Sequence, residues 1–147
     1  MNGPAPLCIF DGIMDAPLYV SILETTLLPF IEDKFPSSHR FMATHRFMAD
    51  NDPKHTSKIA QQFLKEKSVN WWRTPAESPD LNPIENLWHE MKEYMRREVK
   101  PKNKQELIDG IKVFWKTVTP QVCAKYIRHL KKVIPKAIEL KGNATGY

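Results

Sequence analysis

The 147-residue sequence predicts an α/β fold with a helical C-terminal part. Three observations carry this. In the first half, short apolar runs ended by turn residues alternate with stretches whose apolar residues recur at helical spacing. In the second half, helical stretches follow one another, each opened by a capping residue. The composition, 41% hydrophobic and 27% charged, is that of a folded chain and excludes wholesale disorder.

The elements follow in order. Leu7-Cys8-Ile9-Phe10, ended by Asp11-Gly12, reads as a strand and turn. Asp15 before Ala16-Pro17 is an N-cap for a helix carrying Leu18, Ile22 and the Leu27-Leu28 pair. Pro36-Ser37-Ser38 breaks the chain. The stretch His39 to Asp50 reads as a strand containing a local duplication: His39-Arg40-Phe41-Met42-Ala43 recurs as His45-Arg46-Phe47-Met48-Ala49. The offset is even, so side-chain alternation survives the copy. Asn51-Asp52-Pro53 signals a turn and the start of a helix with Ile59, Ala60, Phe63 and Leu64 on one side. Val69 to Trp72 is the next strand, with Trp71 and Trp72 expected in the core, and Thr74 to Asp80 a proline-broken loop.

Asn82-Pro83-Ile84-Glu85 opens a helix with Asn as cap, Pro in the first position and Glu closing a capping box. Its apolar stripe is Ile84, Leu87, Trp88, Met91 and Met95. Asn103 to Glu106 repeats the capping pattern for a helix with Leu107, Ile111, Phe114 and Trp115. Thr119-Pro120 starts a last helix with Val122, Tyr126, Ile127, Leu130 and Ile134, which Pro135 is expected to stop. The tail from Lys141 to Tyr147 is expected to be mobile.

Composition narrows function. No apolar run approaches the ~18–20 residues that span a bilayer, so no membrane role is expected. The start, MNGPAPLCIF, has no basic region ahead of a long apolar core, and no secretory signal is expected. Cys8 and Cys123 lie far apart and form neither a metal nor a redox motif. Charge is uneven: residues 1–85 carry 8 basic and 11 acidic side chains, residues 86–147 carry 14 and 6. A basic half of this size suits a polyanion, nucleic acid first, or simply a set of solvated helix faces. No small-molecule substrate is expected.

Two carboxylates could carry chemistry. Asp50 sits where a strand ends and Glu85 on the first turn of a helix, with 34 residues between them. Such groups can converge on one cleft, because ligand sites in open α/β sheets lie at strand carboxyl ends. Their hard oxygens suit Mg²⁺ or Mn²⁺, and paired ions of this kind cleave phosphodiesters. The plainer readings are a capping-box glutamate and a turn aspartate in an Asp-Asn-Asp-Pro cluster.

Ala49-Asp50-Asn51-Asp52-Pro53-Lys54-His55-Thr56-Ser57, followed by Ser78-Pro79-Asp80-Leu81-Asn82-Pro83-Ile84-Glu85-Asn86-Leu87-Trp88, resembles the catalytic core of the mariner superfamily of DDE transposases, in the branch with 34 residues between the second and third acids. Phe10 to Leu23 resembles the segment preceding the second acid, and the C-terminal Lys-Gly…Thr-Gly-Tyr the natural end of such proteins. The resemblance implies an RNase H-like fold, metal-dependent cutting and joining of DNA, and nuclear residence. It makes Asp50 the second acid and Glu85 the third, both ligands of Mg²⁺ or Mn²⁺, with Glu85 also placed to handle the proton of the attacking water. It places Lys54 and His55 near the site or the DNA backbone; Arg96 and Arg97, on the basic stretch after Glu85, are expected to contact DNA. Asn82, Pro83, Asn86 and Trp88 would orient and bury the Glu85 helix.

The sequence also departs from that family. The first acid and its strand, and the N-terminal DNA-binding region, find no match; Asp11 follows the wrong strand and Asp15 is a helix cap. Arg73 stands where proline is expected. The expected architecture is therefore a truncated RNase H-like fold, a mixed sheet lacking its first strands. Residues 1–100 would be a partial endonuclease domain and 101–147 its helical extension. Such a fragment is expected to be inactive alone, and it could form homo-oligomers. A non-catalytic nuclear DNA-binding or interaction module, using the basic helices after Glu85, is the competing reading; a decayed remnant is a third.

Overall fold

A computed structural model of the chain describes residues 3–35, 45–74 and 81–141. The chain divides into two compact units, residues 8–76 and residues 1–7 with 77–147. The breaker at 36–38, the first copy of the duplicated segment, most of the 74–80 loop and the tail beyond Lys141 lie outside the described residues.

In the unit 8–76, helix α1 (Ala16–Ile22) opens as expected: the Asp15 carboxylate accepts the Leu18 N–H at 2.9 Å. A π turn (Leu23–Leu27) leads into α2 (Leu28–Lys34). Pro29 explains the π turn. It lacks the N–H that would bond Thr25, and its ring crowds that carbonyl. Widening the turn so that the Leu28 N–H reaches back to Leu23 relieves the crowding. The helix ends at Phe35, whose extended backbone (φ −132°, ψ 82°) is what a following proline imposes.

Strands β1 (Phe47–Ala49) and β2 (Trp71–Arg73) flank α3 (Lys58–Glu66) and pair in parallel, Phe47 opposite Trp71 and Ala49 opposite Arg73. A parallel pair needs such a crossover. The core joins Tyr19 and Leu23 to Ala60, Phe63, Leu64 and Val69, with Phe47 and Trp71 packed against it.

Four expectations change here. Leu7–Phe10 forms no strand; Ile9 and Phe10 are exposed, and without a partner ladder an extended run is not a strand. The sheet among the described residues is two-stranded and parallel, not mixed. The helix after Pro53 starts later, capped by Ser57, because Asp52 is engaged in a turn of its own. Ile59 is exposed, and Trp72 is 51% exposed with the Arg46 guanidinium 5.3 Å above its ring, so only Trp71 belongs to the core.

The second unit is helical: α4 (Pro83–Tyr94), a π turn (Met95–Val99), α5 (Lys104–Thr117) and α6 (Pro120–Glu139). Asn103 accepts the Glu106 N–H at 2.9 Å, and Thr119 accepts that of Val122 at 3.3 Å. Asn82 occupies the cap position of α4, but its side chain makes no capping bond. Leu87, Met95, Phe114, Val118 and Tyr126 form the core. Gly110 lets α5 approach the π turn: a Cβ there would stand 2.8 Å from Val99 Cγ1 and 3.0 Å from Met95 Sδ. Pro135 does not stop α6, which continues to Glu139. Pro135 and Lys131 are both exposed, so the carbonyl that loses its bond meets water. Ile127 and Ile134 are exposed, which narrows the expected stripe of α6.

Ser68, Lys100 and Lys141, each just beyond a helix end, take left-handed backbone conformations (φ 54°, 48° and 53°) without being glycine. Among the described residues no helix is long and apolar enough to cross a membrane.

Candidate active site

Asp50 follows the last residue of β1, at the carboxyl end of the parallel pair. The segments leaving the two strands are tied together there. The Thr74 N–H donates to Ala49 O at 3.1 Å, and Asn51 Nδ2 donates to Thr74 O at 2.9 Å. Asp50 thus projects from a backbone fixed on both sides.

The next residues fold back on Asp50. Asp52 Oδ1 accepts the Lys54 N–H at 3.0 Å, and Asp52 O accepts the N–H groups of His55 and Thr56. Pro53, with its fixed φ, sits inside this turn. The turn brings His55 Nδ1 to 2.5 Å from Asp50 Oδ1, while the Asp52 N–H donates to the same oxygen at 3.1 Å. A carboxylate only accepts, so Nδ1 donates in this contact. Lys54 does not reach Asp50; its ammonium closes on Asp52 Oδ2 at 2.5 Å and holds the Asp52 carboxyl below its usual range.

A second wall comes from α1. The Tyr19 ring lies 4.2 Å, centroid to centroid, from the His55 ring. Tyr19 is buried, and burial, helped by the nearby Asp50 charge, pushes its hydroxyl pKa up to about 12. It is therefore neutral at physiological pH. The side chain of Asp50 is 52% exposed and that of His55 20%. The arrangement is an exposed carboxylate oriented by a half-buried imidazole that itself packs, tilted by 35°, against a neutral phenol.

Tyr19 and Asp52 are the residues of this site that sequence reasoning gave no part in it. Asp52 lies in the motif around Asp50 and Tyr19 in the segment resembling the one before the second acid, but neither signal assigns the residue a contact at the site. Glu85 is exposed on the first turn of α4, in the other unit, where its N–H bonds Asn82 O at 3.0 Å. Trp88 stacks on Trp115 at 5.8 Å, and Trp115 Nε1 donates to Ala5 O at 3.0 Å, which packs α4 on α5. Pro83 takes the first helical position and Asn86 is half-buried. Arg96 and Arg97 both pair with Glu93 and remain about 70% exposed.

A family profile described as DDE superfamily endonuclease matches residues 1–108. The chain belongs to this family. Among its relatives, the Tcb2 transposase of Caenorhabditis briggsae is 32% identical over 142 residues, 97% of this chain and 50% of that protein. The Tc1 transposase of Caenorhabditis elegans is also 32% identical, with the same coverage, and its Tc3 transposase is 30% identical over 139 residues. The chain spans about half the length of the curated relatives it matches.

DDE superfamily chemistry generally depends on divalent metal. Among the described residues no three His, Cys, Asp or Glu side chains are grouped to hold an ion. The donor that β1 presents is nonetheless of the right kind. Asp50 offers a hard oxygen, and its Oδ2 accepts no hydrogen bond from a described residue while Oδ1 is held by His55 and Asp52. The carboxylate fits one coordination position of Mg²⁺ or Mn²⁺.

Proposed function

We propose that this chain is part of the catalytic domain of a mariner-superfamily DDE transposase, of the branch with 34 residues between its second and third acids. Residues 1–100 belong to an RNase H-like endonuclease domain, truncated in this chain, and 101–147 to its helical extension. The observation that carries the reading is Asp50 at the carboxyl end of a parallel strand, oriented by His55 at 2.5 Å. The substrate is DNA, and the site of action is the nucleus.

Asp50 and Glu85 are the catalytic carboxylates and the ligands of Mg²⁺ or Mn²⁺. When bound, the metal supplies Lewis acidity for attack of water on a phosphodiester. The chain's own residues do the rest. His55 fixes the Asp50 carboxylate through Oδ1 and leaves Oδ2 for the ion. Tyr19 closes the far face of His55. Glu85 accepts the proton of the attacking water. Asn82, Pro83, Asn86 and Trp88 hold the helix that carries Glu85, while Lys54, Arg96 and Arg97 contact the DNA backbone. Assayed alone, as a monomer or a homo-oligomer, the chain performs no strand transfer, because two of three acids do not complete the two-ion site.

Calorimetric titration with Mn²⁺ tests this. The expected result is a saturable site that Asp50→Asn abolishes and Glu85→Gln weakens. Binding equal to the parent in both variants overturns the assignment of these carboxylates.

A further inference from the structure

The helical unit carries a feature that the carboxylate chemistry does not use. A cleft of about 450 Å³ lies between α4 and α6. Lys125, Arg128, His129 and Lys132 line it from α6, and His89 and Glu90 from α4. The α6 residues stand at i, i+3, i+4 and i+7, hence on one face. We propose that this cleft, whose α4 lining begins at Asn86, docks the phosphodiester backbone of duplex DNA through residues other than Asp50 and Glu85.

Charge and reach support the proposal. Three fixed cations face one carboxylate, Glu90, which pairs with Lys125 at 3.4 Å. Arg128 and Lys132 are exposed. From Lys125 to Lys132 the helix rises ~10 Å at 1.5 Å per residue. Measured along the duplex axis, that is about three nucleotide rises at ~3.4 Å each. Phosphate contacts of this kind position a protein on DNA without reading its sequence.

The inference takes from the proposed function only that the partner is DNA, and its test keeps the two apart. Binding of a labelled 20-base-pair duplex is followed by fluorescence anisotropy in EDTA over a series of salt concentrations. Removing two phosphate contacts with Arg128→Gln/Lys132→Gln lowers the slope of log K against log salt by about 2. Glu90→Gln tightens binding. Lys112→Gln/Lys116→Gln, an equal loss of charge on exposed α5 positions outside the cleft, leaves the slope unchanged. Asp50→Asn, which abolishes the metal site, keeps the cleft-dependent slope. Equal losses from the two double variants overturn the proposal, as does a cleft-dependent slope seen with an RNA duplex and not with DNA. Thermal melting of each variant confirms that the fold is retained.

Discussion

Replacing His55 separates two jobs that one ring performs. His55→Phe keeps an aromatic ring 4.2 Å from Tyr19 and removes the bond to Asp50; His55→Ala removes both. A hydrogen bond to a charged group contributes ~1.5–3 kcal/mol when well shielded. Asp50 is 52% exposed and keeps a second donor in the Asp52 N–H at 3.1 Å, so the lower end applies. About 1.4 kcal/mol is tenfold in affinity, and loss of an orienting partner of a metal ligand costs ~10–100-fold. The expected result is Mn²⁺ binding about tenfold weaker in His55→Phe, with little change in melting temperature. His55→Ala should bind as weakly and in addition lose ~1 kcal/mol of stability with the ring contact. Calorimetry and thermal denaturation on the same samples measure both. Mn²⁺ affinity within twofold of the parent in His55→Phe, while Asp50→Asn binds none, refutes an orienting role. Equal melting of the two His55 variants refutes a contribution from the ring contact.

Two further predictions concern stability. Gly110→Ala gains ~1 kcal/mol of helix propensity, but its Cβ meets Val99 and Met95 at 2.8–3.1 Å, and such overpacking costs ~1–3 kcal/mol. The expected net loss of about 1 kcal/mol lowers the melting temperature by ~2–4 °C, and adding Val99→Ala restores part of it. The folded chain raises the Tyr19 pKa from 10.0 to about 12, so it holds that proton longer than the unfolded chain does. Stability from this group is complete below pH 10 and lost as pH rises toward 12. Urea denaturation at pH 9, 10 and 11 should show that decline in the parent and a shallower one in Tyr19→Phe.

Local rules were legible wherever the deciding partner is a few residues away. Asp15, Asn103 and Thr119 cap the helices they precede, because a cap involves only the next turn of backbone. The same logic misplaced the start of α3, since Asp52 spends its oxygens on Lys54 and leaves capping to Ser57. Leu7–Phe10 has strand composition, but a strand exists only through a partner that composition does not name. Pro135 was expected to end α6, yet its ring lies on an exposed side where water replaces the lost bond. At the site, the family resemblance placed His55 near Asp50, and the two meet within one turn of chain. Tyr19 reaches them only through the packing of α1 against α3 in the core around Leu23, Ala60 and Phe63, which no local pattern encodes.

The left-handed exits at Ser68, Lys100 and Lys141 have a consequence of their own. A side chain in that conformation is strained by ~1–2 kcal/mol relative to a right-handed turn, and glycine at each position would be relaxed. The chain therefore leaves a reserve of folding free energy undrawn at three surface points. At two of them it spends that reserve on a positive charge, on lysines that a purely thermostable sequence would have surrendered.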